Sequence, residues 1–175
     1  VPFSREIYIE REDFKEEADK KFFRLKLDGE VRLKAGYIIK ATRVEKSERG
    51  EISTIYATYD EDSKSGSGTE ASLRKVKGTL HWVSAKHALP IEIRTYERLF
   101  TTEQPDAAKD VDFIQFINPQ SLRVTHGYAE PSLKDATLDD HFQFQRIGYY
   151  IKDRDSSDEK LVFNRTVTLK DGYKP

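Results

Sequence analysis

Four basic side chains flank an Asp28–Gly29 pair, two on each side. They are Arg24, Lys26, Arg32 and Lys34. In a hairpin of suitable register all four cations share one face, where like charges opposite each other repel by a few tenths to about 1 kcal/mol per pair. A polyanion relieves that repulsion. Equally, Lys and Arg keep an exposed sheet edge from pairing with other chains, and spacing alone leaves both interpretations open.

The apolar residues between these cations determine the expected register. A two-residue loop places Leu27 opposite Glu30, so that apolar and charged side chains share a face. A three-residue loop with a Gly bulge instead pairs Leu27 with Val31 and Leu25 with Leu33 on the inner face. We therefore predict this hairpin, with the four cations forming a ladder on its outer face.

Two further groups of polar residues are weaker candidates. Gln143 and Arg146 accompany an aromatic alternation of Phe142 and Phe144, and both side-chain types bind base edges in fixed, paired geometry. On a regular strand Gln143 and Arg146 point to opposite faces, so a shared target requires a bulge or a strand end between them. A second basic cluster, by itself typical of a solvated strand end, comprises Arg74, Lys75 and Lys77.

Residues that catalytic and metal sites require are sparse. There is no cysteine, which removes disulfides and thiolate ligands. Gly66-Ser67-Gly68 is not followed by Lys-Ser or Lys-Thr, so it is not a phosphate-binding loop. The four histidines without metal-ligand spacing are His81, His87, His126 and His141. We expect no catalytic residue, metal or cofactor in this chain.

The composition describes a foldable chain without favouring one ligand. Its 175 residues are 37% hydrophobic, enough for one domain or two small ones. Lys and Arg number 30 against 31 Asp and Glu, so binding of nucleic acid depends on how the charge is distributed. No apolar run could span a bilayer and no signal peptide is evident, which favours a cytoplasmic protein. Because the chain begins Val1-Pro2-Phe3 and contains no Met, we expect a piece of a longer protein.

Period-2 alternation predicts a chain made mainly of strands. The predicted strands cover residues 5–10, 23–27, 30–34, 37–45, 52–59, 74–84, 91–100, 121–126, 142–151 and 161–169. Short helices are predicted after Asp13, where Phe14, Ala18 and Phe22 follow at helical spacing, and over residues 107–117. The sequence therefore predicts an all-β fold with short helices.

Several separate blocks, in order, resemble one family. Residues 75–94, KVKGTLHWVSAKHALPIEIR, resemble the signature block of the C-terminal domain of glutaminyl-tRNA synthetases. The start of that domain is similar to VPFS at 1–4 with IYIEREDF at 7–14, and its end to AEPSLKD at 129–135 with FNRTV at 163–167. The resemblance covers the chain essentially end to end, and the bacterial branch is the closer match.

The resemblance implies two small β-barrels in tandem, each similar to a ribosomal-RNA-binding barrel. Residues 1–18 with 98–175 would form the proximal barrel and residues 19–97 the distal one. It also implies a monomer that binds the anticodon loop of tRNA(Gln), while an N-terminal catalytic domain outside this chain attaches glutamine with ATP and Mg. The alternatives are the equivalent domain of a eukaryotic or archaeal glutamyl-tRNA synthetase, or a non-catalytic scaffold that docks another protein.

The resemblance assigns anticodon contacts residue by residue. Arg24 corresponds to an arginine that reads the third base. Arg32 keeps an arginine near the first base, and Lys34 stands where close relatives have another arginine. Gln143 and Arg146 match the glutamine and arginine that read the central uracil.

Two residues depart from the family pattern. Lys21 replaces a glutamine and Phe23 replaces a lysine, and an aromatic ring at Phe23 could stack on a base. The cationic face of the predicted hairpin adds Lys26. The full predicted RNA-binding set is Lys21, Phe23, Arg24, Lys26, Arg32, Lys34, Gln143 and Arg146.

Overall fold

The computed structural model describes residues 2–107 and 110–169. The chain forms two compact units, Val1–His87 and Ala88–Pro175, hereafter the N-terminal and C-terminal units. Strands dominate both units, so the predicted all-β class is confirmed. The barrel boundaries at 1–18 with 98–175 and at 19–97 stay a prediction. Barrel closure does too, because the strand pairings of the described residues form open sheets.

The described part of the N-terminal unit contains eight strands. They are β1 (Ile7–Ile9), β2 (Phe14–Lys15), β3 (Leu25–Lys26), β4 (Glu30–Leu33), β5 (Ile38–Lys46), β6 (Ile52–Asp60), β7 (Thr79–Leu80) and β8 (Trp82–Ser84). Strands β6, β5, β4 and β7 form a sheet in that order, with β4 and β7 parallel. β1 pairs antiparallel with β8, and β2 pairs parallel with β3. Leu25, Val31, Leu33, Leu80 and Trp82 are buried in its core.

The predicted hairpin at Asp28–Gly29 is wrong in its pairing. A Gly-bulge loop has its glycine in the left-handed region, but here Asp28 has the left-handed φ of 58°, and its amide donates to the carbonyl of Ala41 at 2.9 Å. β3 pairs with β2 instead of β4, which sets Lys26 beside Lys15. The predicted ladder of four cations therefore does not form, although Leu25, Val31 and Leu33 do face the core as predicted.

The C-terminal unit is built on one five-stranded sheet in its described part. Its strands are β9 (Leu89–Tyr96), β10 (Leu122–Ala129), β11 (His141–Phe144), β12 (Gly148–Lys152) and β13 (Leu161–Thr168). Their order is β10-β9-β13-β12-β11, with β9 and β13 parallel and the other neighbours antiparallel. Ile91, Tyr150, Leu161 and Phe163 are buried in its core, and the Phe144 ring stacks on Tyr150 at 4.3 Å. The strand predicted over 142–151 is thus two strands joined by a tight hairpin.

Helical segments are short and differ from those predicted. The helix expected after Asp13 is replaced by a 3-10 turn over Arg11–Asp13, after which the chain enters β2 directly. The helix predicted over 107–117 is a 3-10 turn over Phe113–Phe116, and residues 108–109 of that prediction lie outside the described residues. The other helical segments are the α-helical turn Glu70–Leu73 and the 3-10 turns Glu61–Ser63 and Pro131–Asp135. Across residues 2–107 and 110–169, none of these helices is long and apolar enough to cross a membrane.

Candidate nucleic-acid interface

Arg32 on β4 donates hydrogen bonds to its own chain. Its Nη1 donates to the Ser63 carbonyl at 2.6 Å and to the Ser65 hydroxyl at 3.3 Å. Its Nη2 donates to the carbonyls of Ser72 and Arg74, each at 3.1 Å. The planar guanidinium is suited to this because its donors diverge in a rigid fork. Arg32 therefore fastens the connection between β6 and β7 to the sheet.

Arg74 secures the far end of the same connection. Its guanidinium lies 2.6 Å from the Glu30 carboxylate on β4 and 3.5 Å from Asp60 at the end of β6. The hydrogen bond with Glu30 is the main reason that the pKa of Arg74 is raised above its ordinary value. Arg74 thus carries a structural ion pair, and its membership of a basic cluster does not by itself indicate a ligand site.

Arg24 is anchored at one end. Its Nη1 lies 3.2 Å from a carboxylate oxygen of Asp13 and donates to the Glu12 carbonyl at 3.1 Å. Asp13 is only 1% exposed, whereas the Arg24 side chain is 41% exposed. The buried carboxylate therefore orients a guanidinium that still faces solvent.

The remaining predicted residues of the N-terminal unit lie at its surface. Lys26 and Lys34 are both exposed. Lys26 is the last residue of β3, before the turn at Asp28, and Lys34 directly follows β4. Lys21 is exposed, and its amide donates to the Asp19 carboxylate at 2.7 Å. Phe23 is 54% exposed, and the Lys77 ammonium lies 5.6 Å from the centre of its ring.

In the C-terminal unit the two predicted residues belong to the β11–β12 hairpin. Gln143 is exposed and pairs with Tyr149, while Phe144 pairs with Gly148 and closes a three-residue loop. Arg146 is exposed at the centre of that loop with a φ of 65°, the left-handed region that few residues other than glycine adopt. Because β11 ends at Phe144, a strand end separates Gln143 from Arg146. A shared target for the two side chains requires such a strand end or a bulge, and the shared target itself stays a prediction.

A different group of charges in the C-terminal unit is structural. Glu92 on β9 is nearly buried and lies 2.8 Å from both Lys160 and Arg94. Hydrogen bonds from Lys160 and then Arg94 lower the pKa of the Glu92 carboxyl. Arg94 also contacts Asp155 at 2.7 Å, so these cations are balanced by carboxylates of their own unit. In the described ranges, no group of three or more histidines and acidic residues is placed to hold a metal ion.

Two lysines that contact aromatic rings were not among the predicted residues. Lys15 lies over the Phe22 ring at 5.0 Å, and Lys77 lies over Phe23. Lys77 was visible in the sequence as part of a basic cluster, but nothing there linked it to Phe23. Lys15 gave no sequence signal, because its parallel pairing with Lys26 follows from the fold.

Comparison with known proteins identifies the family of this chain. Two models described as "tRNA synthetases class I (E and Q), anti-codon binding domain" match residues 1–60 and 79–153. The chain belongs to that family of anticodon-binding domains. The family resemblance carried by separate blocks of the sequence is thereby confirmed.

The curated relatives of this anticodon-binding domain are much longer than the chain. Proteins named glutamine--tRNA ligase from Photobacterium profundum and Escherichia coli O157:H7 are each 56% identical to it over 174 residues. The corresponding protein of Proteus mirabilis is 54% identical over 173 residues. Each match covers 99% of this chain but only 30–31% of the relative. The chain therefore spans about a third of the length of the ligases it matches.

Proposed function

We propose that this anticodon-binding domain reads the anticodon loop of tRNA(Gln) for a cytoplasmic, monomeric glutamine--tRNA ligase. The observation that carries the proposal is the match to glutamine--tRNA ligases along 99% of the chain. In this proposal the chemistry belongs to a catalytic domain attached to this chain, which joins glutamine to the tRNA with ATP and Mg. The present chain supplies binding and discrimination.

The C-terminal hairpin supplies the central part of the proposed mechanism. Unpaired bases of an RNA loop expose their edges, and arginine and glutamine form paired hydrogen bonds with such edges. Arg146 lies beyond the end of β11 and has a left-handed backbone, and Gln143 is an exposed residue of β11 itself. We assign the central uracil to these two side chains.

In the N-terminal unit, some of the predicted residues would contact the RNA and one would support the fold around them. Lys21, Lys26 and Lys34 would bind phosphates and so position the RNA without reading its sequence. Arg24 would read the third base, because Asp13 orients its guanidinium while leaving it partly exposed. Arg32 would act near the first base as a positioning residue, because its donors hold the connection between β6 and β7.

Binding of anticodon stem-loops tests the proposal. We expect the wild-type chain to bind the tRNA(Gln) stem-loop more tightly than a stem-loop with cytosine at the central position. Arg146→Ala and Gln143→Ala should each remove about 1–3 kcal/mol of that discrimination, the usual contribution of a paired base contact. Arg49→Ala, in the exposed β5–β6 turn, is the matched control and should leave it unchanged. The measurement is the dissociation constant of each protein–RNA pair by fluorescence anisotropy.

Salt dependence separates this proposal from a protein-docking scaffold. Each phosphate contact should steepen the fall of log affinity with log salt by about 0.7 for a single strand. Equal binding of all anticodon variants, or binding that does not change with salt, would refute anticodon reading. Preference for a glutamate anticodon would point to the related glutamyl-tRNA synthetases.

A further inference from the structure

Phe23 is an exposed aromatic ring next to the core. Its neighbour Leu25 is 1% exposed, whereas Phe23 remains 54% exposed. The ammonium of Lys77 lies 5.6 Å from the ring centre, within the range of a cation–π interaction. An explanation without any binding role is that the apolar stem of the lysine covers the ring in water. Three features of the surroundings favour a binding surface instead.

The first feature is that backbone contact holds Phe23 and Lys77 together. Gly78, which follows Lys77, has a φ of 99°, and a β-carbon added there would clash with the Phe23 carbonyl oxygen. The Gly78 carbonyl also accepts a hydrogen bond from the Arg32 amide at 3.1 Å, which ties this contact to β4. The fold thus brings together the backbones that carry the ring and the ammonium.

The second feature is that the ring of the adjacent Phe22 also has a lysine ammonium over it. The Lys15 ammonium lies 5.0 Å from the centre of Phe22, and Lys15 stands beside Lys26 in the pairing of β2 with β3. Two consecutive phenylalanines are therefore each accompanied by a lysine.

The third feature is the chemistry of this combination. Aromatic rings next to cations are how proteins bind single-stranded nucleic acid, because bases stack on the rings while cations bind phosphates. A ring buried by the fold cannot accept a base, but Phe23 can. The flexible stem of Lys77 allows its ammonium to reach a phosphate when a base takes the ring face.

We infer that Phe23 and Lys77 form a stacking platform for one unpaired nucleotide of the bound RNA, with the base on the ring and its phosphate at the ammonium. This inference deepens the proposed function and rests on it. The platform supplies affinity rather than sequence discrimination, because every base has a π-face. It adds Lys77, which no family assignment placed in the interface, to the residues that bind the RNA.

Substitution of Phe23 tests the stacking contact. Phe23→Ala should weaken binding of the 175-residue chain to the tRNA(Gln) anticodon stem-loop by about 5- to 100-fold, whereas Phe23→Tyr should stay within about threefold of wild type. Both variants should fold, because the ring is exposed, and thermal unfolding checks this. A series of stem-loops, each with one abasic loop nucleotide, identifies the stacked base. With the correct abasic RNA, Phe23→Ala should cause no further loss.

Substitution of Lys77 tests the phosphate contact. Lys77→Gln should reduce the slope of log affinity against log salt by about 0.7, the value for one phosphate on a single strand. Lys86→Gln is the matched control, since Lys86 is an exposed lysine of the same unit that lies in the turn after β8. Its slope should equal that of the wild type.

The outcomes separate this inference from the proposed function. If the wild type binds the stem-loop and Arg146→Ala removes central-base discrimination, but Phe23→Ala and Lys77→Gln bind as the wild type does, the platform is refuted and anticodon reading stands. If the wild type does not bind the stem-loop at all, anticodon reading fails. Loss of affinity in Phe23→Ala that persists equally with every abasic RNA would also overturn the platform.

Discussion

The segment at residues 21–34 and the hairpin at residues 141–152 hold their arginines in different ways. In the first, Arg32 donates to four oxygens of its own chain and Arg24 is anchored on the buried Asp13. In the second, Arg146 is presented by a backbone in the left-handed region, at the centre of a three-residue loop. The family pattern assigns all three arginines to anticodon reading, but the structure positions Arg24 and Arg32 by side-chain contacts and places Arg146 on a left-handed backbone.

Under the proposed function, this difference implies that an arginine of the binding motif acts either by contact with the RNA or by support of the fold. A guanidinium that satisfies backbone carbonyls contributes to stability, so its removal damages the fold first and binding second. A guanidinium on a strained loop residue indicates a role in binding instead, because backbone strain persists at sites where the position of a side chain matters for function. Stability measurements can therefore distinguish the two regions without any RNA.

The largest expected effect is at Arg32. Arg32→Ala removes four hydrogen bonds from a charged donor group, and we expect it to lower the free energy of unfolding by about 2–4 kcal/mol. Arg32→Lys should recover less than half of that loss, because an ammonium cannot match the planar fork. Urea unfolding followed by tryptophan fluorescence reports on this unit, since Trp82 is in its core.

Arg49→Ala serves as the control for Arg32→Ala. Arg49 is exposed in the turn between β5 and β6, so its removal should change stability by less than about 0.5 kcal/mol. Amide exchange should also become faster across residues 61–74 in Arg32→Ala and not in Arg49→Ala. Unchanged exchange in that segment would mean that Arg32 does not fasten it.

The turn at Asp28 shows how far the fold could be predicted from sequence. The chain does turn at Asp28, and the inward set of Leu25, Val31 and Leu33 is correct, because turn propensity and period-2 burial are local properties. The partner strand is not a local property. The Asp28 amide bonds to Ala41, and β3 lies parallel to β2, so the register required long-range information.

The candidate site shows the same division. Exposure of Gln143 on β11 followed from its alternation with Phe142 and Phe144, whose rings pack against Phe163 in the core. The acceptors of Arg32 lie 31–42 residues further along the chain, between the strand predicted over 52–59 and the start of the strand predicted over 74–84. No spacing rule connects them, and the resemblance supplied a position for Arg32 but not its contacts.

A smaller effect is expected for the anchored arginine. Arg24→Ala breaks an ion pair to a carboxylate that is almost fully buried, and a double-mutant cycle with Asp13→Asn should give a coupling energy of about 1–2 kcal/mol. Equilibrium urea unfolding of the four proteins measures it. A coupling energy near zero would mean that the fold gains nothing from anchoring Arg24, and would remove the distinction between the two regions at this position.

The smallest expected effect on stability is at Arg146, where two substitutions can be compared directly. Arg146→Gly and Arg146→Ala remove the same functional group, but only alanine keeps a β-carbon in the left-handed region. We therefore expect Arg146→Gly to be more stable than Arg146→Ala by about 1 kcal/mol in thermal or urea unfolding. Both should lose central-base discrimination to the same extent. Equal stability of the two variants would show that the loop relaxes when the side chain is removed, so that the left-handed backbone follows from the contacts of Arg146 and does not present it.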